Sequence, residues 1–264
     1  MTVMILIRVI LFYLIICLLL YLIQSKLIFF PQPLIQSQVE RYKDLELTFQ
    51  RENVKLHGWF LKGEKEYPNK LIIYFGGNAE EVSGSFTELQ NNTACSLLVM
   101  NYRGFGKSEG TPSQDSLFAD SLYIFDQVVE ENGFSKENII LFGRSLGSGI
   151  ATYLASKRQV GRVILVTPFD SILSIARKRY FLLPVKLLLK HPFPSSEFAA
   201  NINHPLLEII ATHDEVIPLT HSQALFDSWK GAKRIVEIQG ANHQNISGFN
   251  NYWAEINDFI SSSK

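Results

Sequence analysis

The chain is poor in cysteine and has no excess of charge of either sign. Its 264 residues hold two cysteines, Cys17 and Cys95, and 25 basic against 25 acidic side chains. Two cysteines in so long a chain do not make a disulfide framework. A balanced charge leaves no electrostatic footprint for DNA or RNA, so a nucleic-acid partner is not expected. No Cys/His cluster has zinc-ligand spacing, and neither HExxH nor a P-loop is present. Internal repeats, charge blocks and low-complexity segments are missing too. Hydrophobic residues make up 47%, which excludes a largely disordered chain. The length fits one large or two small domains with ample buried core.

The apolar residues are unevenly spread. Residues 3–23 contain a single charge, Arg8, and residues 9–23 contain none. A membrane-spanning helix needs roughly 20 apolar residues, and residues 3–23 supply 21 if Arg8 reaches the interface. A cleaved signal peptide would show a small-x-small site, which Gln24-Ser25-Lys26-Leu27-Ile28-Phe29 does not offer. A buried core helix is the third reading, but a segment apolar on all faces suits lipid better. The expectation is an uncleaved single-pass anchor over residues 1–26, its orientation open. Residues 27–44 read as a juxtamembrane linker. Within it, Phe29 and Phe30 either sit at headgroup level or pack on the domain, and Pro31 and Pro33 stop the helix. The neutral total also divides: residues 1–26 carry +2, and the remainder, with 23 basic and 25 acidic residues, carries −2.

From residue 45 to 264 strand and helix signals alternate. Strands are expected at 45–50 and 54–61, joined as a hairpin, then at 70–75, 96–102, 138–142, 162–167, 206–212 and 234–239. Most are short apolar runs, the mark of strands buried on both faces. Helices are expected at 83–91, at 113–130, from Leu146 onward and at 249–260. The pattern predicts an α/β fold, a mostly parallel sheet with helices on both faces. In such sheets the site lies beyond the carboxyl ends of the strands. Residues 169–205, with Pro184, Pro192, Pro194 and Pro205 among helix fragments, break the alternation and read as a small lid.

Gly143-Arg144-Ser145-Leu146-Gly147 is a GxSxG sequence. By chance it occurs on the order of once in ten chains of this length. Here it follows an expected strand and precedes a helix, the context a nucleophile elbow needs. A serine hydroxyl needs a base to take its proton, and in this architecture the partners follow in the order Ser, acid, His. Asp214 and His243 each sit just beyond a strand, in that order. His57 lies inside an early strand, His191 and His204 in the lid stretch, His213 beside the acid, and His221 near a helix start. Asp170, just beyond another strand, is the rival acid. An oxyanion hole needs two backbone N–H groups. Leu146 is the first candidate; Asn78, with Gly77 as alternative, is the second.

Taken together these residues resemble the α/β-hydrolase superfamily, and within it the membrane-anchored serine hydrolases of the Bem46 and ABHD13-type group. The resemblance runs over nearly the whole chain: LIFFPQ after the anchor, YFGGNAEE at the oxyanion loop, NYRGFGKSEGTPS, GRSLGSG, RKRYFLLPVKLLL, HDEVIP and GANH. It implies Ser145 as nucleophile, Asp214 as acid and His243 as base. It also implies that the loop carrying Tyr102, Arg103, Gly104, Gly106 and Ser108 shapes the site without acting in it. Gly76 stands where many relatives carry His, and Asn242-His243-Gln244-Asn245 replaces a commoner Gly-His-Asn-Asp type of sequence.

The expected activity is hydrolysis of a carboxylic ester or thioester, with an acyl ester or lipid-like small molecule as substrate and neither metal nor organic cofactor. Amide or peptide cleavage is the alternative within that chemistry. A non-catalytic membrane scaffold is the alternative outside it.

Overall fold

Fifteen apolar residues in a row, 9–23, leave a helix no polar face, and the computed structural model, which describes residues 2–63 and 67–262, places them in one long helix. Helix α1 (Thr2–Ile28) buries only Cys17 and Gln24 along its length. Its mean hydropathy reaches 3.1, and among the described residues it is the one helix long and apolar enough to cross a membrane. It ends before Pro31, as the prolines require.

The contacts of α1 fall mainly on residues 182–191. Gln24 spends its side-chain amide there, donating to the Leu188 carbonyl at 2.9 Å and accepting from the Lys190 N–H at 2.6 Å. Tyr13 donates to the Leu182 carbonyl at 2.9 Å. Of the two juxtamembrane aromatics, Phe29 packs into the domain against His191 and Phe193, while Phe30 is partly exposed.

A short helix α2 (Gln36–Arg41) leads to the hairpin of β1 (Glu46–Arg51) and β2 (Val54–Leu61). Then come β3 (Tyr67–Phe75), α3 (Ser83–Asn92), β4 (Cys95–Met100), α4 (Gln114–Asn132), β5 (Ile139–Arg144), α5 (Leu146–Lys157) and β6 (Arg162–Val166). Three short helices, α6 (Ile172–Arg179), α7 (Val185–Leu188) and α8 (Ser195–Ala199), precede β7 (Leu206–Ala211). Helix α9 (Leu219–Ser228), β8 (Lys233–Ile238) and α10 (Asn250–Ser261) complete the order.

The eight strands form one sheet in the order β1-β2-β4-β3-β5-β6-β7-β8. The pairs β1–β2 and β2–β4 are antiparallel, and every pair from β4 to β8 is parallel. The parallel strands are apolar at successive positions because both faces are covered. Leu71, Ile73, Phe75, Leu141, Val163 and Leu165 pack with α4 and α5 on one face. Ile72, Tyr74, Ile140, Phe142, Ile164 and Val166 pack with α3 and α10 on the other. The sequence had placed the start of β3 at Lys70; it begins at Tyr67, with a register shift before Leu71. Helix α9, expected only through a helix start near His221, carries that histidine in its first turn.

Candidate active site

The chemistry begins at the carboxyl end of β5, where the chain turns from strand to helix in a single residue. Ser145 takes that turn at φ 50° and ψ −118°, a conformation that costs roughly 1–3 kcal/mol and persists only where the surroundings enforce it. They do so here. The Ser145 N–H is held by the Val166 carbonyl at 2.9 Å. A Cβ at Gly147 would strike the Phe75 carbonyl, and one at Gly143 the Gly147 carbonyl. The two glycines of GxSxG are therefore demanded by the close approach of α5 to β3 and β5.

Two loops beyond later strands bring their side chains to the same point. His243 Nε2 lies 3.1 Å from Ser145 Oγ, and His243 Nδ1 lies 2.8 Å from Asp214 Oδ2. The other carboxylate oxygen of Asp214 accepts from the N–H groups of Val216 and Ile217 at 2.9 and 2.7 Å. A carboxylate only accepts, so Nδ1 carries the proton and Nε2 turns its lone pair to the serine hydroxyl. All three side chains are buried or nearly so. On either side of the histidine, Asn242 Oδ1 accepts from the N–H groups of Gln244 and Asn245 at 3.0 Å each, and Asn245 Oδ1 accepts from the Asn242 N–H at 2.7 Å. The departure from the Gly-His-Asn-Asp pattern thus supplies a turn that holds the His243 backbone.

The rival carboxylate is engaged elsewhere. Asp170 Oδ1 lies 2.8 Å from His221 Nδ1 and accepts from Ser174 Oγ at 2.5 Å. His191 pairs with Ser25 Oγ at 2.9 Å, and its Nδ1 accepts from the Gln114 N–H at 3.3 Å. Burial lowers the pKa of His191, which favours its neutral form. His57 is likewise pushed down by burial, against the pull of Glu46.

Of the two candidates for the second oxyanion donor, Gly77 is spent: its N–H donates to Glu80 Oε2 at 2.7 Å. Among the described residues no protein acceptor takes the N–H of Asn78 or of Leu146, the latter being the first residue of α5 and so without an intrahelical partner. The Asn78 loop lies against Ser145, since a Cβ on Gly77 would sit 3.9 Å from that of Ser145. The end of α1 brackets this loop. The Asn78 side chain donates to the Ile28 carbonyl at 3.1 Å, and the Phe30 N–H donates to the Asn78 carbonyl at 3.0 Å. From below, Tyr102 donates to the Gly76 carbonyl at 2.8 Å, and burial keeps its phenol protonated.

Two residues escaped the sequence reading. Arg144 donates to the His243 carbonyl at 3.2 Å and lies 3.8 Å from Glu80 Oε2, the same oxygen that holds Gly77. Glu80 also accepts from Tyr74 at 2.8 Å. Arg144 and Glu80 therefore tie the His243 loop to the loop of Gly77 and Asn78. Arg103, by contrast, forms a bidentate pair with Asp120 at 2.6 and 2.7 Å, a structural brace as expected. Among the described residues no three His, Cys, Asp or Glu side chains are placed to hold a metal ion. A surface depression of about 630 Å³ opens among Gly161, Asn203 and His204 near the amino ends of β5, β6 and β7, away from the Ser145 cluster.

Residues 70–190 match the family described as alpha/beta hydrolase fold. The chain belongs to the α/β-hydrolase superfamily. Among its superfamily relatives, the alpha/beta hydrolase domain-containing protein 17C of Homo sapiens is 30% identical over 197 residues, 72% of this chain and 57% of that protein. An uncharacterised Mycobacterium tuberculosis protein is 28% identical over 226 residues, 83% of this chain and 80% of its own length. Among solved α/β-hydrolase folds, the esterase Pf2001 of Pyrococcus furiosus superposes with a TM-score of 0.66 at 18% identity, covering 83% of this chain and 91% of that one. Est1E from Butyrivibrio proteoclasticus superposes with a TM-score of 0.64 at 16% identity, covering 81% and 98%.

Proposed function

We propose that the protein is a serine hydrolase that cleaves carboxylic ester or thioester bonds with Ser145, His243 and Asp214, held at a membrane by α1. The observation that carries the reading is the position of His243, bonded to Asp214 on one ring nitrogen and facing Ser145 on the other. In this reading residues 1–26 are the anchor, 27–44 a linker and 45–264 the catalytic domain, with 169–205 as its lid. The placement in the Bem46 and ABHD13-type group rests on the motifs quoted above.

The reaction follows from the bonds. His243 Nε2 takes the hydroxyl proton as Ser145 Oγ attacks the substrate carbonyl carbon. The negative charge that forms on the carbonyl oxygen is received by the N–H groups of Leu146 and Asn78. His243 then gives its proton to the departing alcohol or thiol, leaving an acyl-serine. Water, deprotonated by the same nitrogen, attacks the acyl carbon and restores Ser145. Asp214 stays ionised throughout and stabilises the imidazolium.

The test is turnover of p-nitrophenyl and thiophenyl acyl esters by the full chain in detergent. Ser145→Ala and His243→Ala are each expected to lower kcat by at least about 10³-fold. Turnover by Ser145→Ala equal to wild type would contradict the reading.

A further inference from the structure

An apolar cavity of about 220 Å³ lies between α1 and the β6–β7 segment. Leu20, Leu27 and Ile28 of the long helix form one wall; Ile172, Ile175, Ala176 and Leu183 are among the residues opposite. We propose that this cavity is the acyl-chain site, filled by the acyl chain of a membrane ester, with α1 serving as part of the binding wall as well as the anchor. The proposal rests on the hydrolase reading above and assigns its substrate class.

Three observations meet here. First, one wall of the cavity is bonded to the loop of the proposed oxyanion donor. The carbonyl of Ile28, a wall residue, accepts from the Asn78 side chain, and the Asn78 N–H is that donor. The Ile28 end of the cavity is thus the end nearer the proposed catalytic residues.

Second, the polar groups of the lining do not compete for an apolar ligand. Gln24 has its side-chain amide bonded to the backbone of Tyr21, Leu188 and Lys190, and Tyr180, the other uncharged polar side chain of the lining, is half exposed. Arg179, the one charged residue there, follows Arg177 and Lys178 in the last turn of α6.

Third, the β6–β7 segment runs along the part of α1 that would lie in lipid. Tyr13, bonded to Leu182, is 15 residues before Ile28, about 22 Å along a helix at 1.5 Å per residue. Beside that contact Phe181, Leu182 and Leu187 are 79%, 74% and 82% exposed, a patch that soluble surfaces rarely carry. Lys190 lies over the Tyr21 ring at 3.9 Å, which puts a cation at the level where that aromatic would meet the interface. With α1 in a bilayer the patch is immersed, and the cavity between α1 and α6 opens toward lipid. A chain then passes from bilayer to cavity without crossing water.

The experiment uses the full chain in phosphatidylcholine nanodiscs, with two readouts. In the first, kcat/KM is measured for p-nitrophenyl acetate and p-nitrophenyl decanoate. Each methylene buried is worth up to about fourfold, so decanoate is expected to exceed acetate by well over tenfold. Ala176→Trp, which fills the cavity, is expected to lower that ratio at least tenfold. An unchanged ratio in a variant with wild-type thermal unfolding overturns the proposal.

The second readout needs no turnover. A 16-carbon fatty acid carrying a terminal diazirine is photolysed with the protein, and the labelled peptides are mapped. Label is expected in residues 20–28 and 172–189, reduced by Ala176→Trp. Label confined to residues 3–19, or undiminished in the variant, overturns it. Should no ester be hydrolysed, the catalytic reading falls, while the photolabel still decides whether the cavity takes an acyl chain.

Discussion

Oδ1 of Asp170 lies 2.8 Å from Nδ1 of His221, and this pairing leaves Asp214 as the carboxylate that meets His243. Both aspartates stand just beyond parallel strands at the same edge of the sheet, so residue type and position alone leave the two open. The difference lies in what each carboxylate faces. Asp170 also accepts from Ser174 at the start of α6, and it has no bond to the His243 ring among the described residues. Asp214→Asn is expected to leave His243 in the wrong tautomer and lower kcat by about 10⁴-fold, whereas Asp170→Asn keeps turnover near wild type. Steady-state kinetics of the two variants on one short ester decides between them. Equal losses would contradict the assignment.

Glu80 and Arg144 are expected to act as positioning residues. Glu80 Oε2 fixes the Gly77 N–H, and Arg144 fixes the His243 carbonyl. Loss of either loosens a loop without removing a reacting group. Glu80→Ala and Arg144→Ala should lower kcat by about 10- to 100-fold, less than deletion of an oxyanion donor, with KM little changed. Because the two side chains belong to one network, the double variant should cost less than the product of the singles. Strict multiplicativity, or a rise in KM with kcat intact, would place them outside the catalytic geometry.

Glu208 sits on β7 with 0% exposure and, among the described residues, without a partner for either carboxyl oxygen. Burial raises its pKa well above the ordinary value, Asp227 raises it further, and Lys233 opposes. A raised carboxyl pKa means that the folded chain keeps a proton the unfolded chain gives up. Below about pH 4.3, the ordinary glutamate value, both states hold the proton and no penalty exists. Above it, stability falls with rising pH by about 1.4 kcal/mol per unit until the folded pKa is passed. Glu208→Gln is expected to raise Tm at neutral pH and flatten this slope. Thermal melts of both proteins between pH 5 and 8 check it; parallel curves would contradict the account.

The sheet was legible because its strands are buried on both faces and so read as unbroken apolar runs, such as KLIIYF and NIILF. The cluster was legible for a related reason. Each of Ser145, Asp214 and His243 directly follows a strand or sits one loop beyond it, and strand ends are where a parallel sheet gathers its side chains. What stayed hidden depends on contacts made across the fold. The Asp170–His221 pair spans 51 residues, and the Arg144–His243 bond spans 99. Neither has a local pattern to announce it. The same holds for α1: its composition states that it is apolar, but not that Gln24 and Tyr13 dock it beside the β6–β7 segment. Helix α9 was legible only at its start, because the short amphipathic run LTHSQALFDS, opening directly after Pro218, has little periodic signal.

The central claim is that Ser145 is a nucleophile activated by His243. Intact-protein and peptide mass spectrometry after treatment with a fluorophosphonate tests it most directly. The account predicts one phosphonyl adduct per chain, mapped to Ser145, and its loss in both Ser145→Ala and His243→Ala. A folded wild-type chain that takes up no label, or a Ser145→Ala chain labelled to the same extent, would contradict it.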